Sequence, residues 1–135
     1  MFLEIQFQSG KPTYLQIVDQ IKNAVASNRL KSGDALPGIR PLAERLRINR
    51  NTVAKAYTEL ERQGVVKTQA GKGCFVSDNH TPYNKKMREK MLQDAVDAAI
   101  VEAHHLQFSD EALLKIIQKR LQSYAKKKSD SNKGQ

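Results

Sequence analysis

The chain has 135 residues, a formal net charge of +9, 39% hydrophobic and only 6% aromatic residues. This length holds one small domain, or one with an accessory piece, and excludes a large barrel enzyme. A single cysteine, Cys74, excludes an internal disulfide framework and a cysteine-rich zinc module, and fits a reducing compartment. The longest uncharged apolar run, residues 98–101, falls far short of the ~20 residues that span a bilayer. The opening residues lack a signal-peptide pattern, so a soluble, cytoplasmic protein with no membrane partner is expected. Positive charge is spread along the chain, net +5 over residues 1–78 and net +4 over residues 79–135. That balance points to an anionic partner, with nucleic acid ahead of an acidic membrane surface.

Residues 2–7, FLEIQF, alternate and predict a short edge strand. Tyr14, Ile17, Val18, Ile21, Ala24 and Val25 then recur three and four apart, which predicts a helix over residues 12–30 opened by Pro12. A turn at residues 32–34 (SGD) separates it from a short helix over 39–46 with Leu42, Ala43 and Leu46 inward. Pro41 lies in the first turn of that helix, where proline is tolerated. A third helix over 50–63 is closed by Gly64. It turns Val53, Ala56, Tyr57 and Leu60 inward and Asn51, Lys55, Thr58 and Arg62 outward. Two β-like runs follow, VVKTQ at 65–69 and CFVS at 74–77, and the AGKG between them predicts a hairpin with a Gly-Lys-Gly tip.

Residues 78–82 (DNHTP) read as a linker. A long alanine-rich helix is predicted over 83–106, and a last helix runs from the N-cap Ser109 to about residue 124, with Leu113, Ile117 and Leu121 inward. The remaining KKKSDSNKGQ has no apolar residue and predicts a disordered basic tail over 127–135. The fold class is therefore mainly α with a small β wing. Residues 1–78 form a winged helix-turn-helix, and residues 79–126 form a two-helix segment.

Two short helices joined by a tight turn at 47–49, the second apolar on one side and Asn/Lys/Arg-bearing on the other, describe a helix-turn-helix. Its second helix can enter a DNA major groove, and the hairpin after it fits a wing. Through the run from PTYLQIVDQIKNAVASNRLKSGDALPGIRPLAERLRINRNTVAKAYTELERQGVV to GKGCFV, the chain resembles the GntR family of bacterial transcription regulators. Its short carboxy-terminal part looks like the YtrA subfamily. The resemblance implies DNA contacts at Arg40, at Asn49, Arg50, Asn51 and Thr52, and in the wing at Gln69, Gly71 and Lys72. Lys55 joins them from its position on the polar face of the third helix. The chemistry agrees: Arg grips guanine O6 and N7, Asn grips adenine N6 and N7, and glycines let backbone approach the duplex.

Four positions depart from the family pattern. Arg47 replaces the usual glycine of the turn, Gly38 replaces the hydroxyl cap of the second helix, and Pro41 stands where an acidic residue is common. Ala54 occupies a place where one branch of the family uses an arginine on bases.

The resemblance also implies a repressor working as a homodimer on a palindromic double-stranded DNA operator. Leu92, Ala95, Val96, Ala99, Ile100 and Ala103, with Leu113 and Ile117, are the expected dimerisation residues, since their spread exceeds what one helical neighbour covers. An unidentified small-molecule effector is allowed, acting through the spacing or order of the two winged units. Arg45, Arg47, Arg62 and Lys22 read as solvated surface, and Tyr57 as core. His104 and His105 are adjacent on a helix and cannot chelate as an i, i+4 pair would, so neither metal nor cofactor is expected. No nucleophile set, phosphate-binding loop or paired carboxylate argues for an enzyme. The rivals are a sequence-tolerant architectural DNA binder and a winged-helix adaptor for proteins.

Overall fold

The computed structural model describes residues 3–78 and 85–133, with side chains up to residue 127. The chain forms two compact units, Met1–Thr81 and Pro82–Gln135. The first holds α1 (Thr13–Ala26), α2 (Ile39–Leu46), α3 (Arg50–Arg62), β1 (Val66–Gln69) and β2 (Gly73–Val76). The second holds α4 (Lys85–His105) and α5 (Asp110–Lys133). The winged unit's core is built from the predicted stripes: Ile17, Val18 and Ile21 of α1, Leu42 of α2, and Val53, Ala56 and Leu60 of α3 are buried together. Val66 and Val76 close it from the hairpin, as directly paired residues of an antiparallel ladder. Ala35 bridges to Phe75, and the Leu36 and Gly33 N–H groups donate to the Cys74 and Val76 carbonyls, so the segment before α2 acts as a third partner for the wing.

Among the described residues of the predicted strand, 3–6 form no regular element and Phe7 opens a turn; their backbone pairs with side chains instead of a neighbouring strand. The Gln20 amide accepts from the Glu4 N–H (3.0 Å) and donates to the Glu4 carbonyl (2.6 Å). One helical turn earlier, the Gln16 amide does the same for Gln6, at 2.8 and 3.0 Å. Two glutamines at i and i+4 on α1 thus serve as a sheet edge for two alternate backbone residues. This orientation turns Leu3 into the core and explains the alternation.

Helix ends follow one recurring device. After α1, α2, α3 and α4 the residues Asn28, Arg47, Gly64 and Gln107 take left-handed backbone, with φ of 60°, 57°, 78° and 64°. In each case the next N–H reaches back to a carbonyl five residues earlier: Arg29 to Ala24, Ile48 to Ala43, Val65 to Leu60 and Phe108 to Ala103, at 2.8–3.0 Å. Only one of the four is glycine. A non-glycine residue in this conformation costs about 1 kcal/mol, which the reach-back bond and the packing of Ile48 and Val65 against the core offset. Residues 27–30, predicted as helix, are therefore a turn.

α5 continues to Lys133, beyond the predicted end near residue 124 and through most of the stretch expected to be disordered. Residues 125–133 contain neither proline nor glycine, so nothing in them stops a helix already nucleated by its Ser109 cap, whose hydroxyl accepts from the Ala112 N–H. Beyond Asp78, the expected linker lies outside the described residues, as do His80 and Tyr83.

Candidate nucleic-acid interface

The α2–α3 turn builds the site. Arg47 ends α2 in the left-handed conformation, as the turn requires. Asn49 then starts α3 from extended backbone, its carboxamide oxygen accepting from the Asn51 N–H at 2.7 Å. An asparagine at this place is an N-cap before it is anything else; its amide N–H groups remain as donors. The turn brings Arg40, Arg47, Asn49 and Arg50 around one open concavity of about 660 Å3, with Glu44 on its lining. Three arginines line it. Arg47, read from the sequence as solvated surface, is exposed and lines the same concavity as Arg40 and Arg50.

The Gly38 and Pro41 departures are one feature. A Cβ on Gly38 would meet the Pro41 Cδ at 3.3 Å, tighter than ordinary contact, so the proline ring favours a glycine cap. Pro41 also has no N–H for a hydroxyl cap to bond. α2 therefore starts without a side-chain cap, from Gly38 at φ −60° and ψ 157°. Buried Tyr57 pins this start instead, its hydroxyl donating to the Pro37 carbonyl at 2.7 Å. Burial pushes the Tyr57 phenol well above its ordinary pKa, so it stays a donor across the accessible pH range.

On α3, Asn51 is exposed and Thr52 half-buried. Lys55 is exposed too, but its ammonium lies over the Tyr14 ring, 4.1 Å from the centroid, and so is held toward α1. The far end of α3 is tied down by the Arg62 guanidinium and the Gln63 amide, both donating to Glu59. The Arg62 bond, then that from Gln63, lowers the Glu59 carboxyl to about 2. At the wing tip, the Lys72 N–H donates to the Gln69 carbonyl at 2.9 Å. Gly71 and Gly73, at φ +74° and +113°, allow that turn, and nothing lies within 4 Å of where a Cβ would sit on either. Gln69, Gly71 and Lys72 are all exposed at the tip. Cys74, on β2, is half-buried and burial raises its thiol pKa, the opposite of what a reactive cysteine needs.

The second unit has a different character. No side chain of α4 is buried, and Ala103 alone is half-buried among its described residues. Of the expected dimerisation residues, Leu92, Val96, Ile100 and Ile117 are exposed large hydrophobics, Ala95 and Ala99 are exposed beside them, and Leu113 is half-buried. Val101, Leu106, Leu114, Ile116 and Leu121 add to this surface. Leu121, predicted inward, is 66% exposed, because α5 has no wall opposite that position within its own unit. An open concavity of about 320 Å3 at the α4–α5 elbow is lined by Ile100, His104, Phe108 and Leu113. Among the described residues no helix is long and apolar enough to cross a membrane, and no group of three His, Cys, Asp or Glu could hold a metal.

The family of bacterial regulatory proteins called gntR matches residues 13–76, from the first residue of α1 to the last of β2. The HTH-type transcriptional repressor YtrA of Bacillus subtilis (strain 168) is 36% identical over 103 residues, which cover 76% of this chain and 79% of YtrA. This chain belongs to the GntR family. As a GntR protein it is a DNA-binding transcription regulator and not an enzyme. The likeness to solved structures extends past the wing: a transcriptional antiterminator from Listeria monocytogenes EGD-e superposes with a TM-score of 0.79 at 33% identity, covering 92% of each chain. The DNA-binding domain of AraR, solved in complex with operator ORX1, matches 56% of this GntR chain and 96% of its own at 26% identity, with a TM-score of 0.51.

Proposed function

We propose that this GntR protein is a repressor that binds a roughly palindromic duplex operator as a homodimer. In this reading α3 enters the major groove, with Arg50 and Asn51 reading base edges. Arg40, Arg47 and Thr52 hold the flanking phosphates, and Gln69, Gly71 and Lys72 carry the wing onto the neighbouring backbone or minor groove. Asn49 and Lys55 serve phosphates too, the first from its cap position and the second from over Tyr14. The observation that carries the reading is that Arg40, Arg47 and Arg50 line one open concavity at the start of α3. The name of YtrA supports repression, which needs no further chemistry, since an occupied promoter excludes polymerase.

The dimer reading rests on the second unit, whose helices leave Leu92, Val96, Ile100 and Ile117 uncovered within one chain. A twofold interface between copies would bury them and set two winged units on half-sites about one DNA turn, or a multiple, apart. An effector would act on the spacing of those units.

The test is a pair of substitutions on an operator found by genome-wide mapping of bound DNA. Arg50→Ala should cost about 1–3 kcal/mol at particular base pairs and relax discrimination there. Lys72→Ala should weaken all sequences evenly and lessen the salt dependence. Equal, sequence-blind losses for both would favour an architectural binder, and absence of binding to any duplex at low salt would favour a protein adaptor.

A further inference from the structure

Among the described residues of the winged unit, only two large hydrophobic side chains are exposed, Phe7 and Ile39. Ile39 is the first residue of α2 and immediately precedes Arg40. It lines a groove of about 420 Å3 together with Ala54 and Thr58 of α3 and Lys72 of the wing tip, and Glu61 and Thr68 are polar members of the same lining. Ala54 follows Arg50 by four residues, and Thr58 follows Ala54 by four, so the three share one face of α3. Ala54 is half-buried and Thr58 exposed. Ile39 thus sets an apolar side chain beside Arg40 in sequence, in a groove that also holds Ala54 and Lys72.

In the DNA-reading role proposed above, the apolar side chains of Ile39 and Ala54 are matched by one feature of the major groove, the C5 methyl of thymine. Cytosine at the same place carries only a hydrogen on C5 and would lose that apolar contact. We propose that Ile39, Ala54 and the Thr58 methyl form a thymine-methyl pocket that makes these residues specificity determinants. The inference rests on the DNA-reading role proposed above and deepens it. One residue step along α3 advances 1.5 Å, so the thymine falls within about two base steps of the pair read by Arg50.

The experiment deletes the methyl from the DNA and leaves every hydrogen-bonding group in place. Each thymine of the selected operator is replaced in turn by deoxyuridine, and affinity is measured by fluorescence anisotropy. One thymine per half-site should weaken binding about four-fold when its methyl is removed. Ile39→Ser and Ala54→Ser should each reduce that sensitivity toward none, and the thermal transition of the winged unit checks that both variants are folded. If uracil is tolerated at every position, or if the sensitivity survives in both variants, the pocket is overturned and the DNA-reading role stands. If no duplex is bound specifically at all, the role and the pocket fall together.

Discussion

In the winged unit Ile17, Ile21, Val53 and Leu60 are completely enclosed, whereas α4 and α5 carry Leu92, Val101, Leu114 and Leu121 at 60–69% exposure. The two units differ little in the kinds of apolar residue they contain. They differ in how those residues are arranged around each helix. In α1 and α3 the apolar positions form a single stripe facing one core, and one chain can close it. In α4 the residues Met87, Leu92, Val96, Ile100 and Val101 spread around most of the wheel, so that one neighbouring helix leaves several facing water. Burying a side chain of this size stabilises by about 1.5–3 kcal/mol, and that gain is unused in a single chain. The first unit thus closes its own core, and the second leaves open the apolar faces that the proposed pairing would cover.

Ile100→Asp should break this contrast most forcefully. It places an unpaired charge in the proposed twofold interface while removing nothing from the winged core. Operator affinity should fall about 100-fold or more as the linkage of two half-site contacts is lost, with the thermal transition of the winged unit unchanged. Anisotropy titration and calorimetry together check both halves of that statement.

A truncation pair sharpens the same comparison. Leu60→Ala empties a site enclosed on all sides and should destabilise the winged unit by about 2–5 kcal/mol in urea titration. Leu121→Ala, in the Ile100→Asp background, should change stability by no more than about 0.5 kcal/mol, because without a partner the leucine touches mainly water.

The positions of α1, α2, α3 and the hairpin were legible because each follows a single hydrophobic period bounded by proline, glycine or a polar turn. Less legible were the features built by contacts across sequence. Nothing local reveals that Gln16 and Gln20 supply an edge to the backbone at Glu4 and Gln6, which looks from its alternation like a strand. Helix ends at Asn28, Arg47 and Gln107 lack the glycine that marks Gly64, because the reach-back bond and the packing after them tolerate the strain. α5 outran its apolar stripe because helix-permissive residues continue a helix already started. At the site, Arg40 and Arg50 were legible through the family pattern. The cap on Asn49, the Tyr14 ring beneath Lys55 and the grouping of Ile39 with Ala54 are spatial facts. Gly38 and Pro41 looked like two separate losses and are one steric arrangement.

That arrangement supplies the smallest expected effect, and a local counterpart to the comparison of units. Gly38→Ser alone should not stabilise α2, since the serine Cβ crowds the Pro41 ring and finds no N–H at that position. Combined with Pro41→Glu, the same serine should complete a capping box and stabilise the winged unit by about 1 kcal/mol. A double-mutant cycle read by urea denaturation measures the difference, and additive effects would show that the two positions are independent.

The central claim is that reading DNA belongs to the first unit and pairing to the second. Native mass spectrometry of the intact protein, alone at micromolar concentration and then on its mapped operator, tests this most directly. The account predicts a dimer in solution, two copies per operator, and single copies throughout for Ile100→Asp. A monomer that binds its operator tightly as one copy would contradict it.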